Sequence, residues 1–482
     1  MTTLSRSILL LLSTALLSVP TWADPSRPNI VVILTDDQGY ADISINPESP
    51  TEVATPHMDA LAKEGVWFSN GYTSGHVCSP TRAGLMLGGY QQREGIYTAG
   101  QGGSGFDPTV PIFPAMLPEE YVSTAIGKWH LGLDEDFPEL KWHALSRGFD
   151  ECYKFMGRGA HDYFELKGAK SGGSGIYRNK ERLTQYEGYL TNVLTDEATA
   201  FIERQKGSPF FLYLAYNAVH SPAQAPQEDV DRYRAKFPYL TEKRAILMAM
   251  LEHLDDGVGS VVKKLKDTGE WDNTLLFLLT DNGGSKAMEA HNGSLRAFKG
   301  SLYEGGIRTP FIVSWPDKFD GGQKIDTPVM SFDILPTVLA AMDIDRPVDS
   351  TFDGKSLLPL LTTETTDHHA ILYWNSGPPK GEWAVRKGNW KAHGYTNKPV
   401  ELYDLSADPS ESNDLALTNP EKAKELSDLH VQWLAEMKLD EHDGKVPDAV
   451  ADPDKPKLSK EERAERKAAR EASRTPPPRS VP

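Results

Sequence analysis

An α/β fold is predicted: a large, mostly parallel sheet sandwiched by helices, with a smaller C-terminal antiparallel sheet plus a helix. Three observations predict it. Continuous apolar runs bounded by turn residues alternate with helix-period stretches, the pattern of strands buried on both faces of a parallel sheet. After about Thr365 the texture changes to short strand-like pieces at close spacing. The chain of 482 residues is also too long for one small core.

Taken in order, the chain opens with Arg6, the apolar run from Ile8 to Val19, and the small-x-small site Thr21-Trp22-Ala23. This is the pattern of a signal peptide over residues 1–23, so an exported protein, periplasmic or secreted, is expected. The run is short for a membrane span of about 20 residues, and no stable membrane insertion is expected. Asn29 to Thr35, Phe210 to Tyr216, Thr274 to Thr280 and Thr309 to Trp315 read as buried strands, with Val122 to Ile126 a weaker one. Met58 to Glu64, Thr195 to Arg204, Lys243 to Lys266 and Asp333 to Met342 read as helices. Gly157 to Ile176, rich in Gly, Lys and Ser, reads as a loop. These elements make a catalytic domain over 24–365. A small α+β subdomain over 366–440 has strands at Ala370 to Trp374, Trp383 to Arg386, Trp390 to His393 and Val400 to Leu405, then a helix from Pro420 to Met437. The charged tail, 441–482, reads as marginal helix or disordered chain.

A net charge of -17 aids solubility and repels anions at long range. Salt shortens that reach to roughly 8 Å, so an anion site here must be a local cationic pocket. No nucleic-acid partner is expected. The two cysteines, Cys78 and Cys152, could form one disulfide; if Cys78 is chemically modified, Cys152 stays alone, buried and inert.

Asp36-Asp37 follows the first strand directly, and Asp281-Asn282 follows the Thr274 strand in the same way. Ligands of open parallel sheets bind beyond the carboxyl ends of the strands. Three carboxylates meeting there would repel one another unless a cation joined them. An all-oxygen set favours Ca²⁺ or Mg²⁺ over zinc. The plainer reading is that Asp-Gln-Gly and Asn-Gly-Gly are only turn formers; two pairs at matching strand ends argue for the metal. Lys128 and His130, in Lys128-Trp129-His130-Leu131-Gly132, follow the weaker strand. His220 sits just past the Phe210 strand, and Lys299 lies in Arg296-Ala297-Phe298-Lys299-Gly300. Each is ordinary alone; their shared placement after strand ends makes a cationic cluster.

Cys78-Ser79-Pro80-Thr81-Arg82, with Leu85 and Gly88 just beyond, is C-x-P-x-R. With the acidic pairs and the cations, it resembles the type I, formylglycine-dependent sulfatases of the alkaline phosphatase superfamily, and most of all the bacterial sulfatases acting on carbohydrates. The resemblance runs from Pro28 to about Leu417 and includes Glu401-Leu402-Tyr403-Asp404-Leu405 with Asp408-Pro409 and Glu411. It implies that Cys78 is oxidised to formylglycine by a formylglycine-generating enzyme or an anaerobic maturase, and that its hydrate attacks sulfur. It implies calcium, rather than magnesium, on Asp36, Asp37, Asp281 and Asn282, with modified Cys78 adding an oxygen. Arg82 would hold the hydrate, and Lys128 and Lys299 the sulfate oxygens. His220, with Lys299, would protonate the leaving oxygen, and His130 would take a proton from the hydrate's second hydroxyl. The helix expected to start near Pro80 or Thr81 would aim N–H groups at the anion. Gly159-Ala160-His161-Asp162-Tyr163-Phe164 lies where such enzymes contact the sugar, so His161 and Asp162 are substrate-binding candidates; a hydrogen-bonded loop is the alternative.

The implied activity is hydrolysis of sulfate esters on a poly- or oligosaccharide, galactose-type such as carrageenan, or a sulfated N-acetylgalactosamine glycan. Two alternatives stay open: a phosphonate or phosphate monoester hydrolase of the same superfamily, and a calcium-dependent sulfated-glycan-binding protein without catalysis. Oligomeric state is not legible from these residues.

Overall fold

The computed structural model describes residues 27–103, 105–132, 141–155, 161–166, 175–346, 352–363, 365–377, 381–396 and 398–438. The predicted signal peptide, the charged tail and most of the Gly157 to Ile176 loop lie outside the described residues.

In chain order the main strands are β1 (Asn29–Thr35), β2 (Val66–Phe68), β3 (Val122–Lys128), β4 (Glu151–Phe155), β5 (Ile176–Arg178), β6 (Glu181–Arg182), β7 (Phe210–Ala215), β8 (Thr274–Thr280), β9 (Phe311–Ser314) and β10 (Gln323–Ile325). They make one ten-stranded sheet in the order β10-β2-β9-β8-β1-β7-β3-β4-β5-β6. β1 pairs in parallel with β7 and β8, placing Ile33 beside Leu214 and Leu278. β3 extends the parallel series between β7 and β4. β9 runs antiparallel between β8 and β2. The carboxyl ends of β1, β3, β7 and β8 therefore share one edge, and Asp36, Trp129, Tyr216 and Asp281 step off it.

The longer helices are α1 (Pro56–Glu64), α2 (Cys78–Leu87), α3 (Leu190–Arg204), α4 (Gln227–Lys236), α5 (Glu242–Thr268), α6 (Ile334–Ala341) and α7 (Pro420–Leu434). They cover both sheet faces because strand side chains alternate. Val31, Ile33, Leu212 and Leu278 pack with Leu194 of α3 and Leu251 and Leu254 of α5. Ile30, Val32, Phe211 and Phe277 pack with Leu85 and Met86 of α2 and Leu335 and Val338 of α6. Each such buried side chain stabilises the fold by about 1.5–3 kcal/mol relative to its exposed state.

Two helix boundaries correct the sequence reading, and the first is α3, which starts at Leu190, not Thr195. α2 starts at Cys78, not near Pro80 or Thr81, because Val77 is the extended residue that enters the helix. The helix ends at Gly88, whose N–H reaches the Gly84 carbonyl and whose φ of 68° turns the chain out of the helix. The second sheet is an antiparallel meander of β11 (Ile371–Asn375), β12 (Glu382–Lys387), β13 (Trp390–Tyr395) and β14 (Glu401–Asp404). Ala423 and Leu426 of α7 pack on its Val385 and Leu402. Cys78 and Cys152 are both free and buried. No helix among the described residues is long and apolar enough to cross a membrane.

Candidate active site

The edge that collects the strand ends also collects the predicted residues. Asp36, Asp37, Asp281 and Asn282 are buried there, at 0–2 % exposure. Arg82, one turn into α2, is wholly buried beneath them. Its Nε and Nη2 donate to Asp281 Oδ2 at 3.0 and 2.7 Å, and Nη1 donates to the Lys128 carbonyl at 2.8 Å. Lys128, the last residue of β3, pairs with Asp36. Lys299 Nζ pairs with Asp37 Oδ1 at 2.6 Å and lies 3.4 Å from Cys78 Sγ. On its other side that sulfur lies 3.9 Å from Asp36 Oδ1.

The acids fit a cation. Asn282 donates from Nδ2 to Asp37 Oδ1 at 2.8 Å, while its Oδ1 is buried without a hydrogen-bond partner. A buried amide oxygen left unpaired costs about 1–3 kcal/mol, and an oxygen-seeking ion would remove that cost. Cys78, Asp36, Asp37 and His220 also bring ligand atoms within 4.8 Å of one another. A second group, Asp333 with His368 and His369, has no such opening. Its carboxylate takes N–H donors from Met330 (2.8 Å), Lys355 (2.9 Å), His368 (3.0 Å) and His369 (2.8 Å), which fill its acceptor positions.

Electrostatics divide the titratable groups. Burial raises Asp36 and Asp281 above the usual carboxylate range, whereas Lys299 and His220 overcome burial at Asp37 and hold it below. Burial opposes ionisation of Cys78, but Lys128 and Lys299 outweigh it and hold the thiol well below its ordinary value. The two histidines move apart. Burial pushes His130 down to about 4, and its Nδ1 has no hydrogen-bond partner. Burial also opposes the charge on His220, but Asp36 and Asp37 outweigh it and raise its pKa. His220 Nε2 lies 3.7 Å from Asp37 Oδ2.

Close backbone approach explains the glycines beside the acids. A Cβ on Gly39 would meet the His291 carbonyl oxygen at 2.2 Å, and one on Gly283 would meet that of Gly305 at 2.0 Å. The glycines first read as turn formers let loops of different strands touch.

His161 and Asp162 sit beside the His220 loop. His161 is fully buried against Phe155, with Nδ1 2.6 Å from the Asp162 carbonyl. Asp162 accepts from the backbone N–H of Phe164 (2.8 Å) and Glu165 (2.9 Å) and from Gln224 (3.0 Å), so it shapes the loop. Tyr163, the next residue, reaches the carbonyls of Asn217 at 2.8 Å and His220 at 2.9 Å, and so steadies His220. Nothing in a buried tyrosine's sequence context announces that role.

The small sheet grips the Lys299 loop. Glu382 accepts from the Leu302 N–H at 2.7 Å and the Ser301 hydroxyl at 3.0 Å. Glu411 accepts from the Glu304 N–H at 2.6 Å, and Tyr303 donates to Glu401 at 2.5 Å. Lys391, wholly buried, pairs with Glu304 and Glu411, each at 2.8 Å. The run from Glu401 to Glu411 thus holds a cation loop in place.

Comparisons with known proteins agree with this geometry. The sulfatase family profile matches residues 28–344, and that of the C-terminal part of N-sulphoglucosamine sulphohydrolase matches 296–439. The chain is 32 % identical over 400 residues to N-acetylgalactosamine-6-sulfatase of Homo sapiens, covering 77 % of this chain and 72 % of that protein. It is 30 % identical to the uncharacterized sulfatase YdeN of Escherichia coli, covering 73 % and 69 %. A crystal structure of Ps i-CgsB in complex with k-i-k-neocarrahexaose superposes with a TM-score of 0.78 at 31 % identity, covering 86 % of this chain and 94 % of that one. The chain therefore belongs to the sulfatase family of the alkaline phosphatase superfamily and is a sulfuric ester hydrolase.

Proposed function

We propose that the protein is an exported hydrolase of carbohydrate sulfate esters whose nucleophile is formylglycine, made from Cys78 by a maturing enzyme. One observation carries the reading: the Cys78 sulfur opens α2 between the Lys299 ammonium, at 3.4 Å, and the Asp36 carboxylate, at 3.9 Å. As formylglycine, position 78 supplies a hydrated aldehyde that both attacks sulfur and later expels sulfate. Asp36, Asp37, Asp281 and Asn282 would hold calcium, which supplies Lewis-acid polarisation when bound.

The remaining work falls to side chains. Arg82 anchors Asp281 and the Lys128 carbonyl, fixing the floor of the site. Lys128 and Lys299 stand where they can hold the ester's sulfate oxygens, offsetting the repulsion an anion meets from a nucleophile beside carboxylates. Pairs of groups whose pKa values are pushed apart divide into acid and base. By that rule His220 keeps its proton and gives it to the leaving sugar oxygen. His130, neutral down to about pH 4, accepts one from position 78.

Two relatives support a substrate class. One is an N-acetylgalactosamine-6-sulfatase and another binds k-i-k-neocarrahexaose. A galactose-type glycan such as carrageenan, or a sulfated N-acetylgalactosamine glycan, is the substrate proposed here. Residues 1–23 would direct export to the periplasm or beyond.

The test compares turnover of sulfated galactose-type oligosaccharides and nitrophenyl sulfate with that of nitrophenyl phosphate and a phenyl phosphonate ester, on matured protein. Sulfate esters should lead in kcat/KM by at least about 100-fold, nearly 3 kcal/mol of transition-state preference. A lead for phosphate or phosphonate would overturn the reading. So would binding of sulfated oligosaccharide without any release of sulfate.

A further inference from the structure

One buried amide joins three loops of the site without touching any predicted ligand. Asn292 is 3 % exposed, in the stretch between β8 and Lys299. Its Oδ1 accepts from the Tyr40 N–H at 3.1 Å and from the Gly284 N–H at 3.0 Å. Its Nδ2 donates to the Ala297 carbonyl at 3.1 Å and the Gly305 carbonyl at 2.9 Å. All four hydrogen bonds of the amide are therefore made, and all go to backbone. The donors and acceptors around it admit one orientation only, because a flipped amide would set N–H against N–H and oxygen against oxygen.

The partners lie close to the working residues in sequence. Tyr40 follows Asp36-Asp37, Gly284 follows Asp281-Asn282, and Ala297 precedes Lys299. The joint is tight. A Cβ on Gly284 would meet Gly39 Cα at 2.7 Å and Asn292 Oδ1 at 2.9 Å. The Lys299 N–H also donates to the Gly284 carbonyl at 3.0 Å, so the loops already meet there. The two ends of the amide do different work. Its oxygen ties together the two acid-bearing loops, and its nitrogen ties the Lys299 loop to them.

We propose that Asn292 is a positioning residue, which sets the distance between the metal-binding acids and the Lys299 ammonium. The proposal rests on the reading of Lys299 as a sulfate-binding cation. It makes the two ends of the amide separable. Asn292→Asp keeps an oxygen for Tyr40 and Gly284 but turns the other end into an oxygen facing two carbonyls. That should free the Lys299 loop and spare the acids. Asn292→Ala removes both ends.

The experiment measures calcium Kd by chelator competition, the Ki of inorganic sulfate, and Tm, on matured full-length protein and its variants, with Lys299→Ala alongside. Losing a buried backbone partner is worth about tenfold in an equilibrium constant. Asn292→Asp should raise the sulfate Ki about tenfold while calcium Kd stays within about threefold. Asn292→Ala should weaken both by about tenfold. A sulfate Ki unchanged in Asn292→Asp but raised in Lys299→Ala overturns the positioning role alone. A sulfate Ki unchanged in Lys299→Ala overturns the Lys299 reading and takes this inference with it. Equal loss of calcium and sulfate binding in both Asn292 variants, tracking Tm, marks a purely structural residue and also overturns the proposal. If Asn292→Ala does not fold, Asn292→Asp decides alone.

Discussion

At the scale of residues, the site works by placing similar groups in unlike surroundings. His130 and His220 are both largely buried, yet burial dominates at the first, and two carboxylates overrule it at the second. A proton donor matters when the leaving oxygen is a sugar alkoxide and little when it is a nitrophenolate. His220→Ala should therefore lower kcat/KM on a sugar sulfate by about 10²–10⁴-fold and on nitrophenyl sulfate by under about tenfold. Steady-state kinetics on both substrates check this, and equal losses would remove His220 from the role of acid. The residues that carry charge were legible in the sequence: Cys78 and Arg82 from their spacing, the acids from their position after apolar runs. Asn292 and Tyr163 were not. Tyr163 acts through carbonyls of a distant loop, Asn292 ties Tyr40 to its own neighbourhood, and His-Asn-Gly reads locally as a turn.

At the scale of elements, α2 places Cys78 at its first residue, and its entering residue Val77 makes no side-chain cap. The long apolar strands were legible because seven residues buried on both faces leave an unbroken hydrophobic run. α4 was not, since only Val230 and Tyr233 of its ten residues are buried and the rest are mostly polar or charged. β2, three residues long, is too short to show a period. The small sheet owes part of its stability to a neutral histidine. His430 of α7 stacks on Trp383 with centroids 4.5 Å apart, and its Nε2 accepts from Asn375 at 3.0 Å. Burial lowers its pKa to about 4. Between the ordinary value of about 6.5 and 4, the unfolded chain binds a proton that the folded one refuses, so stability falls as pH drops through that window. The loss should reach about 3 kcal/mol at pH 4. Denaturant unfolding at pH 7 and pH 4 should show this loss in the parent chain and about 3 kcal/mol less of it in His430→Gln. An identical pH dependence in both would mean His430 is not held neutral.

At the scale of the whole molecule, a chain of net charge -17 gathers Arg82, Lys128 and Lys299 at one edge of its sheet, paired with Asp36, Asp37 and Asp281. The C-terminal sheet was foreseen as an element but not as a clamp, because nothing in the local sequence tells that Glu382, Lys391 and Glu411 are buried against the Lys299 loop. Both sheets thereby serve one point in space, position 78. The most direct measurement is mass spectrometry of the peptide spanning that residue, made on protein whose sulfatase activity is assayed in parallel. The account predicts a mass about 18 Da below that of the cysteine peptide, from covalent conversion of the thiol to an aldehyde, in a fraction that tracks activity across preparations. Full activity in protein whose residue 78 is entirely thiol would contradict it.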